Sequence, residues 1–242
     1  MEFQIEHHAA LFAYLAREAL QRCGAAGEGA VREGVRRYGR QRGRRMARRA
    51  QRDGEPLNMT SYLLYGEWAD REGKNRQELL GLAPYATACL TCGWCACWQE
   101  LGLLEYGKLY CLDVDKSLVE GFNPDLVLDI HSTLSAGAER CHFVWNGASF
   151  DGESAAAFAA KKAAMGEKNQ RDFLYHTANL LHALGETFAP LLPGASCLLY
   201  TSSPAPCSGP RTTTAAWGPP GAARPASPLT APASGRGPTF ST

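Results

Sequence analysis

No stretch of this 242-residue chain approaches the roughly 18 to 20 consecutive apolar residues that span a bilayer. The N-terminus, Met1 to His8, also lacks the basic segment and apolar core of a secretory signal. These two absences lead us to expect a cytoplasmic protein with no membrane partner, in which nine cysteines stand for reduced thiols, metal or catalysis rather than disulfides. A dominant charge is missing as well: 25 basic against 24 acidic residues leave a net charge of +1, which by itself selects no class of partner. The distribution says more. Residues 196–242 contain no acid at all and hold nine of the fourteen prolines, a composition too poor in apolar surface to offset chain entropy. Within them Cys197-Leu198-Leu199-Tyr200-Thr201-Ser202 resembles translated transposon-adapter sequence. We therefore expect a folded domain over 1–195, cut short at its C-terminus, and a disordered read-through tail over 196–242.

What the body does contain is periodicity. Ile5, His8, Ala9, Phe12, Leu15, Ala16 and Ala19 recur at three and four, which predicts an amphipathic helix over 5–22, broken at Gly24 to Gly27. A second helix is predicted from about 28 to 51, with Val31, Val35, Tyr38, Met46 and Ala47 on its apolar face. Nine arginines and no acid fall between Arg36 and Arg52. Strands are predicted near 60–65 and 82–92, and a short helix over 95–104 with Trp98 and Leu101 on one side. The segment 109–112 is too short for periodicity to decide. Alternation over 125–133 and 141–145, with Gly137 between them, predicts a β-hairpin. Helical spacing returns over 155–165 and 172–192. Helices at both ends around a small antiparallel sheet make the fold class α+β. A faint internal echo links His8-Ala9-Ala10 with His176-Thr177-Ala178, each on an amphipathic helix.

The densest chemical signal is Cys89-x-x-Cys92-x-x-Cys95-x-Cys97. Four thiolates so close in sequence wrap a tetrahedral zinc poorly, so Cys111, Cys141, His131 or His142 would have to complete a site. The first three cysteines match the start of a ferredoxin-type [4Fe–4S] run, but its fourth ligand falls on Gln99 and the match fails there. The plain reading is that Cys89, Cys95 and Cys97 are small buried hydrophobes. Downstream, Cys111 precedes Asp115 by four residues, and Cys141 opens the second hairpin strand across from the segment that carries His131. Cysteine, carboxylate and imidazole from separate segments are what an activated thiolate or a metal-bound water requires.

Several short motifs in this order resemble the L-2-amino-thiazoline-4-carboxylic acid hydrolase family. They are Thr91-Cys92-Gly93-Trp94, Tyr110-Cys111 with Val114-Asp115, Gly121-Phe122-Asn123-Pro124, Thr133 with Ser135 to Gly137, and Cys141-His142-Phe143. His7 to Phe12, Arg36-Arg37-Tyr38-Gly39 with Arg42-Gly43, and Phe173 to Thr177 are similar to its terminal regions, so the resemblance covers roughly 5–190. Two positions depart from the pattern: Gly93 stands where the family has proline, and Ala138 where it has aspartate, which removes a carboxylate from the hairpin turn. The hairpin is also similar to vinyl-4-reductase-type ligand-binding domains, which makes a small-molecule or metal-binding sensor the competing class.

The resemblance implies hydrolytic opening of a cyclic amidine, 2-aminothiazoline-4-carboxylate, to a carbamoyl-cysteine. On that reading we expect Cys111, Asp115 and His131 as the catalytic set, with Cys111 or Cys141 attacking the C2 carbon and His131 donating to a departing ring nitrogen. Arg36, Arg37 and Arg40 are the candidates for the substrate carboxylate, with Trp94 nearby. If the thiols hold a metal, Cys92, Cys111 and Cys141 are the expected ligands and zinc the expected cofactor. Nucleic acid ranks behind a small carboxylate as partner, because no aromatic interleaving or helix-turn-helix pattern accompanies the arginines.

Overall fold

The computed structural model describes residues 3–191, and the calls on 196–242 lie outside them. The first element, α1 (Ile5–Arg52), bends at Gly24, whose φ of 54° and ψ of −132° leave the helical region. The two predicted helices are thus one long helix with a kink at the expected glycine. After α1 the chain forms α2 (Met59–Leu64), where a strand was predicted. The correction has a local cause: the Asn58 side chain accepts the Ser61 amide at 2.9 Å and caps a helical turn that buries Met59, Tyr62 and Leu64.

Two strands follow, β1 (Arg76–Leu82) and β2 (Tyr85–Thr91), then α3 (Gly93–Glu100) and α4 (Leu104–Phe122). The predicted helix over 95–104 is α3, but its two large residues part company: Trp98 is fully buried and Leu101 is exposed. The Trp98 indole donates to the Ala9 carbonyl at 2.9 Å, so burial does not orphan its N–H. The predicted hairpin is β3 (Leu128–Ser132) and β4 (Cys141–Trp145), joined through a 3-10 turn at Leu134–Ala136 and Gly137 at φ 88°. Finally α5 (Gly152–Met165) and α6 (Phe173–Phe188) complete the described chain.

The four strands make one antiparallel sheet in the order β1-β2-β4-β3, which gives the expected α+β class. One core cluster joins α1, α3, α4 and α6 through Phe12, Val35, Trp98, Leu109, Leu180 and Leu184. A second joins the end of α1 to α2 and the sheet through Met46, Met59, Tyr62, Phe122 and Leu128. Among the described residues no helix is long and apolar enough to cross a membrane.

The contact that positions the site is the crossing of α1 and α4. A Cβ added to Gly43 would lie 2.1 Å from the Leu118 carbonyl oxygen, one on Gly121 would lie 2.4 Å from the Arg40 carbonyl oxygen, and one on Gly39 would meet Ser117 Cβ at 2.8 Å. None of these positions has room for a side chain, so the two backbones approach closely. Arg42 on α1 and Asp115 on α4 flank this crossing.

Candidate active site

Four segments bring the chemistry together. Strand β2 ends just before Cys92, which is the N-cap residue of α3. Register places Cys141 of β4 directly opposite Cys89 of β2. Helix α4 contributes Cys111 and Asp115, four residues apart and so on one face, and Ser135 in the hairpin turn reaches the Cys111 thiol.

The thiols are not equivalent. Cys92 is lowered below the usual thiol range by a hydrogen bond from Cys89, against a desolvation cost, with further help from the backbone amides of Cys95 and Trp94. A thiol at a helix N-terminus gains from both the free amides and the helix dipole. Cys141 is likewise lowered by Cys89, helped by the Leu134 amide at 3.3 Å from its sulfur. Cys89, which also lies 3.0 Å from the Thr91 carbonyl oxygen, is correspondingly raised. It has a single S–H hydrogen, so it serves the Thr91 carbonyl or one neighbouring thiolate at a time. Burial pushes Cys111 well above the thiol range. Asp115 is raised to about 6 by desolvation, against the field of Arg42. Its side chain is nonetheless only half-buried. Its charge acts on Cys92, Cys111, Cys141, Tyr62 and Tyr110.

Of the sequence candidates, Cys92, Cys111, Asp115 and Cys141 therefore converge. Trp94 joins them, its ring parallel to that of Tyr110 with centroids 6.5 Å apart and edge-on to Phe173 at 5.7 Å. His131 does not converge. Leu128 is buried and Ile130 half-buried, so the period-two register turns His131 outward, where its ring lies 4.8 Å from that of His142. The three candidate arginines also face elsewhere: Arg36 pairs with Glu33 and Asp113, Arg37 with Glu186, and Arg40 with Glu33 and Glu120. Among the described residues no group of three or more His, Cys, Asp or Glu side chains is arranged to hold a metal ion. Cys92 and Cys141 meet through the Cys89 thiol between them, and Cys111 turns to Ser135.

The sequence profile of the L-2-amino-thiazoline-4-carboxylic acid hydrolase family matches residues 3–145. The chain belongs to that family. No characterised protein and no solved structure gives a significant match. The matched region of this thiazoline-carboxylate hydrolase family member runs from α1 to β4 and so includes every thiol above.

Beside the thiols lies a buried polar network that sequence reasoning missed. The Glu67 side chain is fully buried and receives Arg45 at 3.1 and 3.0 Å and Arg49 at 2.8 Å. His176 Nε2 meets the Glu67 carbonyl oxygen at 3.3 Å, so it must carry the proton, and its Nδ1 accepts from the Tyr38 hydroxyl at 3.4 Å. Thr177 donates its only hydroxyl hydrogen to the Phe173 carbonyl at 2.6 Å. It can therefore only accept from His8 Nδ1 at 3.2 Å, which leaves His8 Nε2 to accept from Tyr110 at 3.3 Å. Both imidazoles are held neutral, His8 lowered to about 3 and His176 to about 2, chiefly by burial. The echo between the His8 and His176 segments was the one available signal, since the two helices meet in this network.

Proposed function

We propose that this protein opens the ring of 2-aminothiazoline-4-carboxylate to a carbamoyl-cysteine, with Cys92 as nucleophile and Asp115 as proton carrier. The observation that carries this reading is the place of Cys92 at the N-cap of α3, where the first-turn amides of Trp94 and Cys95 and the neighbouring Cys89 thiol hold it below the usual thiol range. The sequence favoured Cys111, but an attacking sulfur must be a thiolate, and burial holds Cys111 in the thiol form.

The Cys92 thiolate adds to C2, and the electron pair of the C=N bond moves to the ring nitrogen, which takes a proton from Asp115. The tetrahedral centre collapses with cleavage of the C2–S bond. We assign the ring sulfur as the leaving atom rather than the ring nitrogen, because a thiolate departs far more readily than an amidine nitrogen. An S-alkyl isothiourea on Cys92 remains. Asp115, now ionised, removes a proton from water as the water adds to that carbon. Expulsion of the Cys92 thiolate then yields the urea carbonyl. Of the two water protons, one ends on the substrate's freed sulfur and the other on its nitrogens, so one water is consumed per turnover. A carboxyl raised to about 6 suits both proton transfers near neutral pH.

The test is quantitation of carbamoyl-cysteine after incubation with the thiazoline. Saturable turnover is expected, falling more than about a thousandfold in Cys92→Ser and less than about tenfold in Cys111→Ser. Retained turnover in Cys92→Ser would remove Cys92 from this role. Binding without any turnover in the unmodified protein would point to the ligand-binding class instead.

A further inference from the structure

Arg42 is the one cation of the buried network whose bonding is incomplete. It is only 9% exposed, yet among the described residues it takes no hydrogen bond, and its Nε is buried without a partner. The nearest carboxylate oxygen, Glu67 Oε2, is 3.7 Å from that Nε. Glu67 is already committed, because Arg45 and Arg49 occupy both its oxygens. Three guanidinium groups thus share one carboxylate, and two positive charges lack a local counterpart. A guanidinium offers five N–H donors in a planar fork that matches a carboxylate, and leaving them unmet out of water is costly. The Arg42 guanidinium lies 5.4 Å from the Tyr38 ring centroid, which fixes its plane without using its donors.

Across the α1–α4 crossing stands Asp115, close enough for Arg42 to act on its titration but with no ion pair between them. A positive and a negative group that act on each other without pairing leave each open to a ligand bearing the opposite charges. We infer that Arg42 binds the carboxylate of the substrate while Asp115 faces its amidine, so that the site selects zwitterionic cyclic amidines over amidines without an acid group. This assignment rests on the ring-opening reading for the amidine end, but the carboxylate end stands on Arg42 alone.

The experiment compares L-2-aminothiazoline-4-carboxylate with 2-amino-2-thiazoline, which lacks the acid group, in the full chain and in Arg42→Gln and Arg42→Lys. The readout is the ratio of kcat/KM for the two compounds. We expect this preference to fall by about a hundredfold or more in Arg42→Gln and by about tenfold in Arg42→Lys, where the point charge remains but the bidentate fork is lost. A structural role for Arg42 would lower both substrates together, so an unchanged ratio overturns the inference. Arg42→Lys keeps the buried charge and serves if Arg42→Gln fails to fold. Should no turnover be found in any form, calorimetric titration of the same two compounds decides. Carboxylate-dependent affinity lost in the variants upholds Arg42 while removing the hydrolase reading, and equal affinity for both compounds in the unmodified protein overturns the Arg42 assignment.

Discussion

His8 and His176 meet across α1 and α6 with their rings buried and all four ring nitrogens engaged, whereas His131 and His142 face each other at the surface of the β3–β4 pair. The first pair is fixed in charge and in tautomer by its partners. The difference teaches that nearness to a cysteine in sequence is a poor guide to a histidine's role. His142 follows Cys141 in the chain and His131 lies on the paired strand, yet their rings meet each other instead, while His8 is distant in sequence and packs its ring 6.1 Å from Trp94 beside Cys92. Burial and the bookkeeping of hydrogen-bond donors sort the two pairs.

The comparison can be broken most forcefully at Glu67. Its fully buried carboxylate anchors Arg45 and Arg49, and its backbone carbonyl sets the His176 tautomer. Glu67→Ala should cost about 3–5 kcal/mol of stability, because it strands several buried guanidinium groups without their acid. A denaturant midpoint close to that of the unmodified protein would show that the helical network is not the stabilising half.

A smaller effect sharpens the comparison on the catalytic side. Asp115 is raised from 3.8 to about 6, so the folded state binds its proton more tightly than the unfolded chain does. Stability through this group therefore falls as pH rises from about 4 to 6. Because solvent reaches the carboxyl, we discount the full linkage to about 1–2 kcal/mol. Asp115→Asn should accordingly gain on the unmodified protein as pH is raised from 4 to 7.5, read as the difference in Tm. A difference that stays constant with pH would mean that the aspartate is not desolvated. A group that destabilises the fold at working pH is what a residue retained for chemistry looks like.

The smallest effect belongs to the outer pair. His131→Ala with His142→Ala should change stability by no more than about 0.5 kcal/mol and leave turnover within about twofold. A large loss of turnover would restore the donor role that the β3 register denies to His131.

Much of the architecture was legible because its signals are local. The kink at Gly24, the hairpin around Gly137 and the helical spacing of α5 and α6 all follow from residues within a turn or two. Strand β1 was missed for a physical reason: it is an edge strand whose first five residues are all exposed, so Arg76 to Leu80 show no alternation. Helix α4 was left undecided because the window around Leu109 was too short, although Tyr110, Val114, Ser117 and Leu118 carry the helical period. In the site, Cys92, Cys111, Asp115 and Cys141 were visible as residue types, but their ranking depends on which sulfur receives amide hydrogens, and no spacing rule encodes that. Arg42 was one of nine arginines in a run. The resemblance marked it together with Gly43, but its burial and its unpartnered Nε are properties of the folded chain.

The glycine-lined crossing of α1 and α4 also bears on how this site could be retuned. Where backbones touch at Gly39, Gly43 and Gly121, no side chain can be trimmed to widen the gap or enlarged to narrow it. The span between Arg42 and Asp115 is therefore a main-chain dimension, insensitive to substitution short of prising the helices apart. On the proposed function, adaptation to a bulkier heterocycle would fall to the aromatic contact beside Cys92, where Trp94 and Phe173 offer large rings that smaller residues can replace. A library built on those two aromatic positions would alter ring size while keeping the charge spacing, and selection for new substrates has its most pliable ground there.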